Sequence, residues 1–225
     1  DGDIHTIGAR VSGSSGRNVA FAAEGAMQFG DIGALPDFPR RDRLAYGGHA
    51  ALAYKAAARG LPFALSGGGL LLSGDDPRTL DRFEGWNPLY ARWPKWNELM
   101  VYSLSGESGS AYWSNIGSLW IGARLEPTRR VFLEGRRHFM WAPKPNPLLC
   151  DDCGQACHRV PRVLCQEDDF TRRGDLSVVK AGVNWNANVS GYVLWEALRP
   201  GAYDIDRTGG SDTAHFLRWE IMLSY

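Results

Sequence analysis

Apolar and polar residues alternate at the end of the chain, which reads HFLRWEIMLSY from His215 to Tyr225. The parity that runs from Leu217 to Tyr225 is wholly apolar, whereas the other parity carries Arg218 and Glu220. Successive side chains of a β-strand point to opposite faces, so the pattern predicts a strand with one apolar face and one face that tolerates charge. A terminal strand that ends on an aromatic residue is typical of the closing strand of an outer-membrane β-barrel.

Half-apolar segments recur along the whole chain and predict nine strands, at residues 4–12, 17–29, 43–57, 62–73, 115–125, 130–141, 176–185, 189–199 and 213–225. Short breaks (13–16, 58–61, 126–129, 186–188) alternate with long ones (30–42, 74–114, 142–175, 200–212). Periplasmic turns and extracellular loops alternate in this way in outer-membrane barrels, whereas a soluble β-sandwich, the alternative, has no reason to do so. We therefore predict an all-β fold.

The predicted unit is an antiparallel transmembrane β-barrel portion that occupies residues 1–225, with long extracellular loops near 74–114 and 142–175. Nine is an odd number, whereas bacterial single-chain barrels have even strand numbers. An open sheet would also leave two unpaired edges in lipid, which is costly. We therefore expect the remaining strands to come from an N-terminal segment or from another chain, and we expect outer-membrane lipid around the outer face.

Residue parity assigns the two faces of the predicted sheet. Apolar residues expected to face lipid are Val19, Phe21, Ala23, Met27, Phe29, Leu44, Tyr46, Leu52, Tyr54, Leu119, Ile121, Leu125, Val131, Leu133, Val179, Val183, Val193 and Trp195. Polar residues expected on the inner face are Arg10, Glu24, Gln28, Arg43, His49, Lys55, Arg124, Glu134, Arg136, His138, Lys180, Asn184, Glu196, Arg218 and Glu220. Charges on one parity in strand after strand indicate a hydrated interior rather than a dry core.

The basic residues of the inner face are the candidate substrate path: Arg10, Arg43, Lys55, Arg124, Arg136, Lys180 and Arg218. Their excess over inner-face glutamates predicts a lumen that favours anions, although the chain as a whole has 25 basic and 25 acidic residues. Most of the basic residues are arginines, whose planar guanidinium suits carboxylates. The alternative is that these arginines and glutamates pair with one another across strands.

Two segments of the chain carry short sequence motifs. The sequence AEGAMQFG at Ala23–Gly30 resembles the EGxQFG strand of the alginate export family of outer-membrane barrels. The sequence SGDD at Ser73–Asp76, followed by Phe83 and by WNPLY at Trp86–Tyr90, is similar to the family's SGDD, F and NPLY segment in order and spacing. The resemblance implies that the chain is the C-terminal half of a barrel of about eighteen strands. It also implies a lumen that passes an anionic, alginate-like polysaccharide.

The SGDD segment lies where a predicted strand meets a long loop. An aspartate at the end of a strand commonly caps a turn, which is the role we favour for Asp75 and Asp76. Paired carboxylates in an extracellular loop also offer oxygen ligands, so a Ca²⁺ site at Asp75 and Asp76 is the alternative. No other cofactor is expected.

All four cysteines, Cys150, Cys153, Cys157 and Cys165, lie in one predicted loop. An outer-membrane protein matures in an oxidising compartment, so two disulfides are expected, with three connectivities open. A zinc site that includes His158 and a covalent haem are less favoured, since the CGQACH sequence has one residue more than the CxxCH haem motif. The cysteine-rich loop supports an alternative function, a structural or electron-transfer-associated barrel that docks a partner through this loop.

Other chemistry has little support in the sequence. Ser211, Asp212 and His215 lie near the last outer loop, but no nucleophile elbow accompanies them, so we do not expect an enzyme. No basic and aromatic pattern indicates a nucleic-acid partner. For the aromatic-rich segment 77–114, the interpretations are a plug or constriction that folds inward, stacking on sugar rings, or girdle and loop packing. The sequence therefore predicts an outer-membrane porin or export channel, with anionic polysaccharide as the candidate cargo.

Overall fold

The computed structural model of the protein describes residues 2–33, 40–76, 78–79, 81–89, 98–100, 113–144 and 171–224. Ten strands lie in these ranges: β1 (Ile4–Ser15), β2 (Val19–Ile32), β3 (Arg41–Ala58), β4 (Leu61–Leu72), β5 (Arg82–Phe83), β6 (Ile116–Leu125), β7 (Val131–Trp141), β8 (Arg172–Asn184), β9 (Val189–Pro200) and β10 (Ala214–Leu223). A short helix, α1 (Ala202–Thr208), lies between β9 and β10. No helix in the described part of the chain is long and apolar enough to span a membrane.

All ten strands belong to one sheet. Nine of them follow the order β1-β2-β3-β4-β6-β7-β8-β9-β10, each antiparallel to its neighbours in that order, and β5 pairs with β3. The predicted all-β, antiparallel fold is confirmed, and each of the nine predicted strands has its counterpart. The two-residue strand β5 was not predicted, and it pairs in parallel with the start of β3. Within the described residues no ladder joins β1 to β10, and these two end strands run in the same direction because seven antiparallel strands separate them.

The short connections lie at one end of the sheet, and local hydrogen bonding explains their shape. The β3–β4 turn consists of Arg59 and Gly60, both with positive φ (52° and 79°), as a two-residue hairpin with the strand twist requires. The Thr128 hydroxyl accepts hydrogen bonds from the backbone N–H groups of Arg130 and Val131. Asn186 closes the β8–β9 turn in the same way. The long connections lie at the opposite end, which we call the loop end.

The outer face of the sheet is apolar and exposed. Side chains of the parity predicted to face lipid include Leu119 at 58%, Ile121 at 63%, Leu217 at 67% and Trp219 at 71% exposure. They belong to β6 and β10. The strands between expose Leu133, Val179 and Trp195 on the same parity, so the apolar surface continues from β6 to β10. We call the opposite parity the inner face.

A hydrophobic cluster covers the loop end of the inner face. It consists of Met100, Trp113, Ile116, Met140, Leu176, Val178, Leu194 and Leu198, with Leu70, Leu72, Leu99 and Tyr192 packed against it. Met100 and Trp113 come from the β4–β6 connection, and the other buried members are inner-face residues of β6–β9. Met100 and Trp113 of this connection therefore pack inward onto the sheet. Most aromatic residues of segment 77–114 lie outside the described residues, so the inward-folded plug stays a prediction.

Two isoleucines on opposite faces of β6 test the assignment of the faces. Ile116 is fully buried in the cluster, so Ile116→Ala leaves a cavity and is expected to lower the free energy of unfolding by about 2–5 kcal/mol. Ile121→Ala removes the same atoms from the exposed outer face and is expected to cost about 0.5–1 kcal/mol. Denaturant titration of both variants in detergent micelles measures the difference, and equal losses would contradict the assignment.

Candidate functional site

Four of the seven candidate path residues lie in one cross-strand row on the inner face. Lys55, Arg124, Lys180 and Arg218 are joined through the register of β3, β4 and β6–β10. The complete row reads Lys55, Ala64, Arg124, Glu134, Lys180, Leu194 and Arg218. Cations thus recur at one level of the inner face, although these residues are as much as 163 positions apart in sequence, from Lys55 to Arg218.

The arginines of this region pair with carboxylates. Arg124 Nε lies 3.0 Å from Glu126 Oε1, and its Nη1 lies 3.5 Å from Glu134 Oε2. Arg136 lies two residues after Glu134 on β7, towards the loop end. Its Nη2 is 2.8 Å from Glu134 Oε1. Both guanidinium groups keep more than a third of their side-chain surface exposed. The cross-strand pairing that the sequence left open as an alternative is therefore present, and it coexists with an accessible polar surface.

Lys180 is held by an aromatic ring rather than by a carboxylate. Its Nζ lies 3.6 Å from the centroid of the Tyr192 ring, and it forms no ion pair within the described residues. The Tyr192 hydroxyl donates to Glu220 at 2.6 Å and accepts from Arg218 Nη2 at 2.6 Å. Arg218 also pairs with Glu98 of the inward-folded connection. This group of side chains therefore joins strands β8, β9 and β10 to the β4–β6 connection.

Aromatic rings also lie beside Arg124 of the row and beside Arg136. The Arg124 guanidinium carbon is 4.0 Å from the centroid of Phe132, and that of Arg136 is 5.2 Å from the Trp120 ring centroid. Attraction between a cation and a ring face fixes the orientation of each cation without neutralising it. Charged side chains and aromatic rings thus lie side by side on the inner face.

Arg10 and Arg43 lie apart from this row. The Arg10 side chain is 65% exposed and lies 3.9 Å from Glu24. Arg43 differs from the others because it is buried. Its Nη1 donates to the carbonyl of Gly85 at 3.1 Å, and its guanidinium carbon lies 4.9 Å from the Phe83 ring centroid. Arg43 therefore fastens β5 and the chain after it rather than presenting its charge to a solvent-filled path.

Two buried polar side chains fix the β4–β6 connection across the inner face. Gln28 of β2 is fully buried, donates to the Asn87 carbonyl at 2.6 Å and accepts from the Asn87 N–H at 2.9 Å. Glu196 of β9 is also fully buried, and its carboxylate accepts from the N–H groups of Glu98 (2.9 Å) and Leu99 (3.0 Å). Five strands lie between β2 and β9 in the sheet, so the described parts of the connection are anchored on widely separated strands of the inner face. Sequence parity placed both residues on this face but gave no signal for their role as anchors.

The predicted turn role of the SGDD segment agrees with the contacts of Asp75. Its carboxylate accepts from the Glu84 N–H at 2.9 Å and from Arg41 Nη1 at 3.2 Å. Burial raises the pKa of Asp75, and the contacts with Glu84 and Arg41 oppose this rise. Asp75, which precedes β5, thus links the chain after β5 at Glu84 to Arg41 of β3.

Asp76 is the second anchor of this segment. Its carboxylate accepts from the Arg78 backbone and side chain, and from Lys144 Nζ at 2.9 Å. Burial alone would raise the pKa of Asp76, but these hydrogen bonds outweigh burial and hold the pKa well below its usual range. Within the described residues no group of three or more His, Cys, Asp or Glu is placed to hold a metal. A Ca²⁺ site at Asp75 and Asp76 stays a prediction.

A buried network around Asn115 joins the three longest connections. Asn115 has a φ of 54°, and its side chain exchanges hydrogen bonds with the Lys144 backbone at 2.8 and 2.9 Å. The fully buried Arg173 donates twice to the Asn115 carbonyl, stacks on Tyr203 at 4.1 Å and lies 3.6 Å from Asp204. Residues before β6, after β7 and within α1 are therefore held together at the loop end. The sequence gave no signal for this network because its partners come from distant segments.

Several predicted features fall outside the described residues or away from the inner face. Cys150, Cys153, Cys157, Cys165 and the neighbouring His158 lie in the range 145–170, outside the residues that the structure describes, so the two disulfides stay a prediction. His215 lies on the outer face, where its ring stacks on Trp195 with 5.8 Å between centroids.

The comparisons with known proteins are sparse. No family model matches the chain, and no curated protein matches it. A solved structure described as "NanC porin structure in rhombohedral crystal form" is similar at 8% sequence identity and a TM-score of 0.38, over 99% of this chain and 94% of that chain. None of these comparisons points to the alginate export family.

Asp76 provides a test of the loop-end anchors. Asp76→Asn is expected to lower the free energy of unfolding by about 1–3 kcal/mol at neutral pH, because charge-assisted hydrogen bonds from Arg78 and Lys144 are weakened. Since the folded-state pKa is depressed, this contribution is present above the ordinary aspartate pKa of about 4 and is lost as the pH falls through the lower folded value.

The measurement is thermal or denaturant unfolding of the wild type and variant across that pH range. Asp212→Asn, at an exposed position of the β9–β10 connection, is the matched control and should change stability little at any pH. A gap between wild type and Asp76→Asn that stays constant down to the most acidic pH would contradict the assigned role of the carboxylate.

Proposed function

We propose that this chain forms one wall of an outer-membrane porin or export channel that passes an anionic solute or polysaccharide. The observation that carries the proposal is the pairing of an apolar, exposed outer face with an inner face that bears a row of cations beneath an anchored connection. Alginate-like cargo is the finer part of the proposal, and it rests on the resemblance of the AEGAMQFG and SGDD segments.

The outer face supports placement in a membrane. In water, a continuous apolar surface of this extent would be covered by another molecule. A transmembrane barrel shows an apolar band to lipid and polar residues to its interior, with the two alternating along each strand. The faces of this sheet have that distribution, from Ile7 of β1 to Leu223 of β10.

The inner wall supports passage of an anion by electrostatic means. Arg124, Arg136 and Arg218 are paired with carboxylates yet accessible, so each offers part of its guanidinium to a passing carboxylate. Lys55 and Lys180 have no carboxylate partner within the described residues. Fixed cations replace part of the hydration that an anion loses in a narrow lumen, while the adjacent carboxylates keep its binding weak enough for release. Phe132, Tyr192 and Trp120 would meet the apolar faces of sugar rings.

Strand direction constrains what completes the wall. Because β1 and β10 run in the same direction, a direct seam between them would be parallel. An odd number of further strands between them would keep every pair antiparallel, as in bacterial barrels. We propose that an N-terminal segment or another chain supplies these strands, and nine of them would give the eighteen that the resemblance implies. The alternative function, a barrel that docks an electron-transfer partner, rests on the cysteine-rich loop.

Charge reversal on the inner wall tests the proposed path. The double variant Arg124→Glu/Arg136→Glu is expected to lower the anion-to-cation permeability ratio several-fold, because it replaces two accessible cations of the wall with anions. The measurement is the reversal potential in planar bilayers under a salt gradient. Arg17→Glu, in the β1–β2 turn outside the inner face, is the control, and unchanged selectivity of the double variant would contradict the lumen assignment.

Release of the inward connection tests the role of the Glu196 anchor. Glu196→Ala removes the acceptor for the Glu98 and Leu99 N–H groups, so the connection should leave the inner face more often. Single-channel recordings are expected to show a larger mean conductance or frequent transitions to a larger state. Asn184→Ala, at an exposed inner-face position of β8, is the control. Identical conductance traces for wild type and Glu196→Ala would show that the anchored connection does not limit flow.

A further inference from the structure

Three arginines gather on the outer face at the loop end of β7, β8 and β9, where apolar residues otherwise prevail. Arg137 Nη2 lies 3.3 Å from Asp175 Oδ2, and Arg172 Nη2 lies 2.8 Å from the same oxygen. Arg137 also donates to the Ser177 hydroxyl. Arg199 lies directly opposite Asp175 in the β8–β9 ladder. We call Arg137, Arg172 and Arg199 the outer arginine cluster.

The outer arginine cluster carries more positive charge than its single carboxylate balances. Three guanidinium groups face one aspartate, which leaves a net charge of +2 (three minus one). Asp175 is 8% exposed and already accepts from two arginines, whereas the side chains of Arg172 and Arg137 are 65% and 42% exposed. Arg199 is exposed and has no ion pair within the described residues. The cluster thus exposes guanidinium N–H donors whose positive charge Asp175 does not fully balance.

The position of the cluster along the strands matches a membrane interface. Arg172 is the first residue of β8, and Arg199 is the last but one of β9. Arg137 lies deeper in β7, between the exposed side chains of Leu133 and Phe139, and it reaches towards the loop end to contact Asp175. Cations are tolerated on the lipid face of a barrel near the interfaces, where they meet headgroups.

An apolar groove lies next to the cluster on the same face. It has a volume of about 540 Å³ and is lined by residues that include Tyr46, Gly48, Gly69, Leu119 and Trp141. Glycines at two of these positions leave the depression between the larger side chains. Trp141, on the wall of the groove, lies opposite Arg172 in the β7–β8 ladder. The outer arginine cluster and this apolar groove are therefore neighbours on the outer face.

We propose that the outer arginine cluster binds the phosphate group of a lipid in the outer leaflet, and that the adjacent groove takes an acyl chain of the same lipid. Guanidinium groups bind phosphate oxygens through paired hydrogen bonds. Arg137 and Arg172 meet at one oxygen of Asp175, and Arg199 lies opposite Asp175 on the next strand. The occupant is a lipid rather than a free anion because the phosphate site and the apolar groove adjoin. The inference rests on the membrane placement in the proposed function.

The test measures which lipid lies against the outer tryptophans. The full chain is reconstituted in phosphatidylcholine vesicles that contain either brominated phosphatidic acid or brominated phosphatidylcholine, and tryptophan quenching gives the relative association of each lipid. Trp141 and Trp195 lie on the outer face of the strands that carry the cluster. The wild type is expected to prefer phosphatidic acid. Arg172→Gln/Arg199→Gln should reduce that preference by about fivefold for each arginine removed.

The variants are chosen so that a failure to fold does not obscure the result. Arg137 is left in place because it joins β7 to β8 through Asp175 and Ser177. The matched control is Arg129→Gln/Arg130→Gln, which removes the same charge from the β6–β7 turn at the opposite end of the sheet. This control is expected to keep the wild-type preference.

Each outcome bears on a different part of the inference. Equal quenching of the wild type by the two brominated lipids, or an unchanged preference in the Arg172 and Arg199 double variant, would overturn the lipid site while leaving membrane placement intact. Loss of the preference when millimolar inorganic phosphate is added would assign the cluster to a free anion and overturn the lipid assignment. No quenching by either lipid would overturn the proposed membrane function itself.

Discussion

Continuous antiparallel register from β1 to β10 is the constraint on which the other features of this protein depend. A slip of one residue in any ladder would turn the outer face of that strand inward, because side chains alternate with a period of two. Register places the apolar parity outward in every long strand, and it aligns Lys55, Arg124, Lys180 and Arg218 in one row. It also brings Trp141 opposite Arg172, which joins the groove to the outer arginine cluster. The inner wall and the outer surface are thus set by the same hydrogen bonds.

Patterns within single strands were sufficient to predict the strands and their faces. The alternation around Leu119 and Ile121, and the Gly and Asn residues of the turns, act locally, so the sequence alone indicates them. Contacts between segments that are distant in sequence could not be predicted from these local patterns. Arg43 shares the parity of the path residues yet is buried against Phe83, and Arg137 is a charged residue on the apolar parity. Alternation with a period of two predicts neither the burial of Arg43 nor the pairing of Arg137 with Asp175, because each depends on a neighbour from another strand or connection.

The candidate site differs from the sequence prediction mainly in its charge balance. The excess of inner-face cations predicted a lumen that favours anions, with pairing of arginines and glutamates as the alternative. The structure pairs Arg124 and Arg136 with Glu134, and Arg218 with Glu98. Glu98 could not be counted in advance because it belongs to the β4–β6 connection and not to a strand. For the proposed anionic cargo, a wall of paired charges and rings would favour weak, repeated contacts over tight binding at one point.

The anchors of the β4–β6 connection have a consequence for the order of assembly. Gln28 lies 59 residues before Asn87, whereas Glu196 follows Leu99 by 97 residues. The first half of the connection is therefore able to dock as soon as β2 and β3 are paired, but the second half has no acceptor until β9 has joined the sheet. Contacts between such distant segments form slowly because the intervening chain must first be ordered. We therefore expect docking of Glu98 and Leu99 on Glu196 to be a late event in the assembly of this sheet, which would leave the inner face open at β9 while strands are being added.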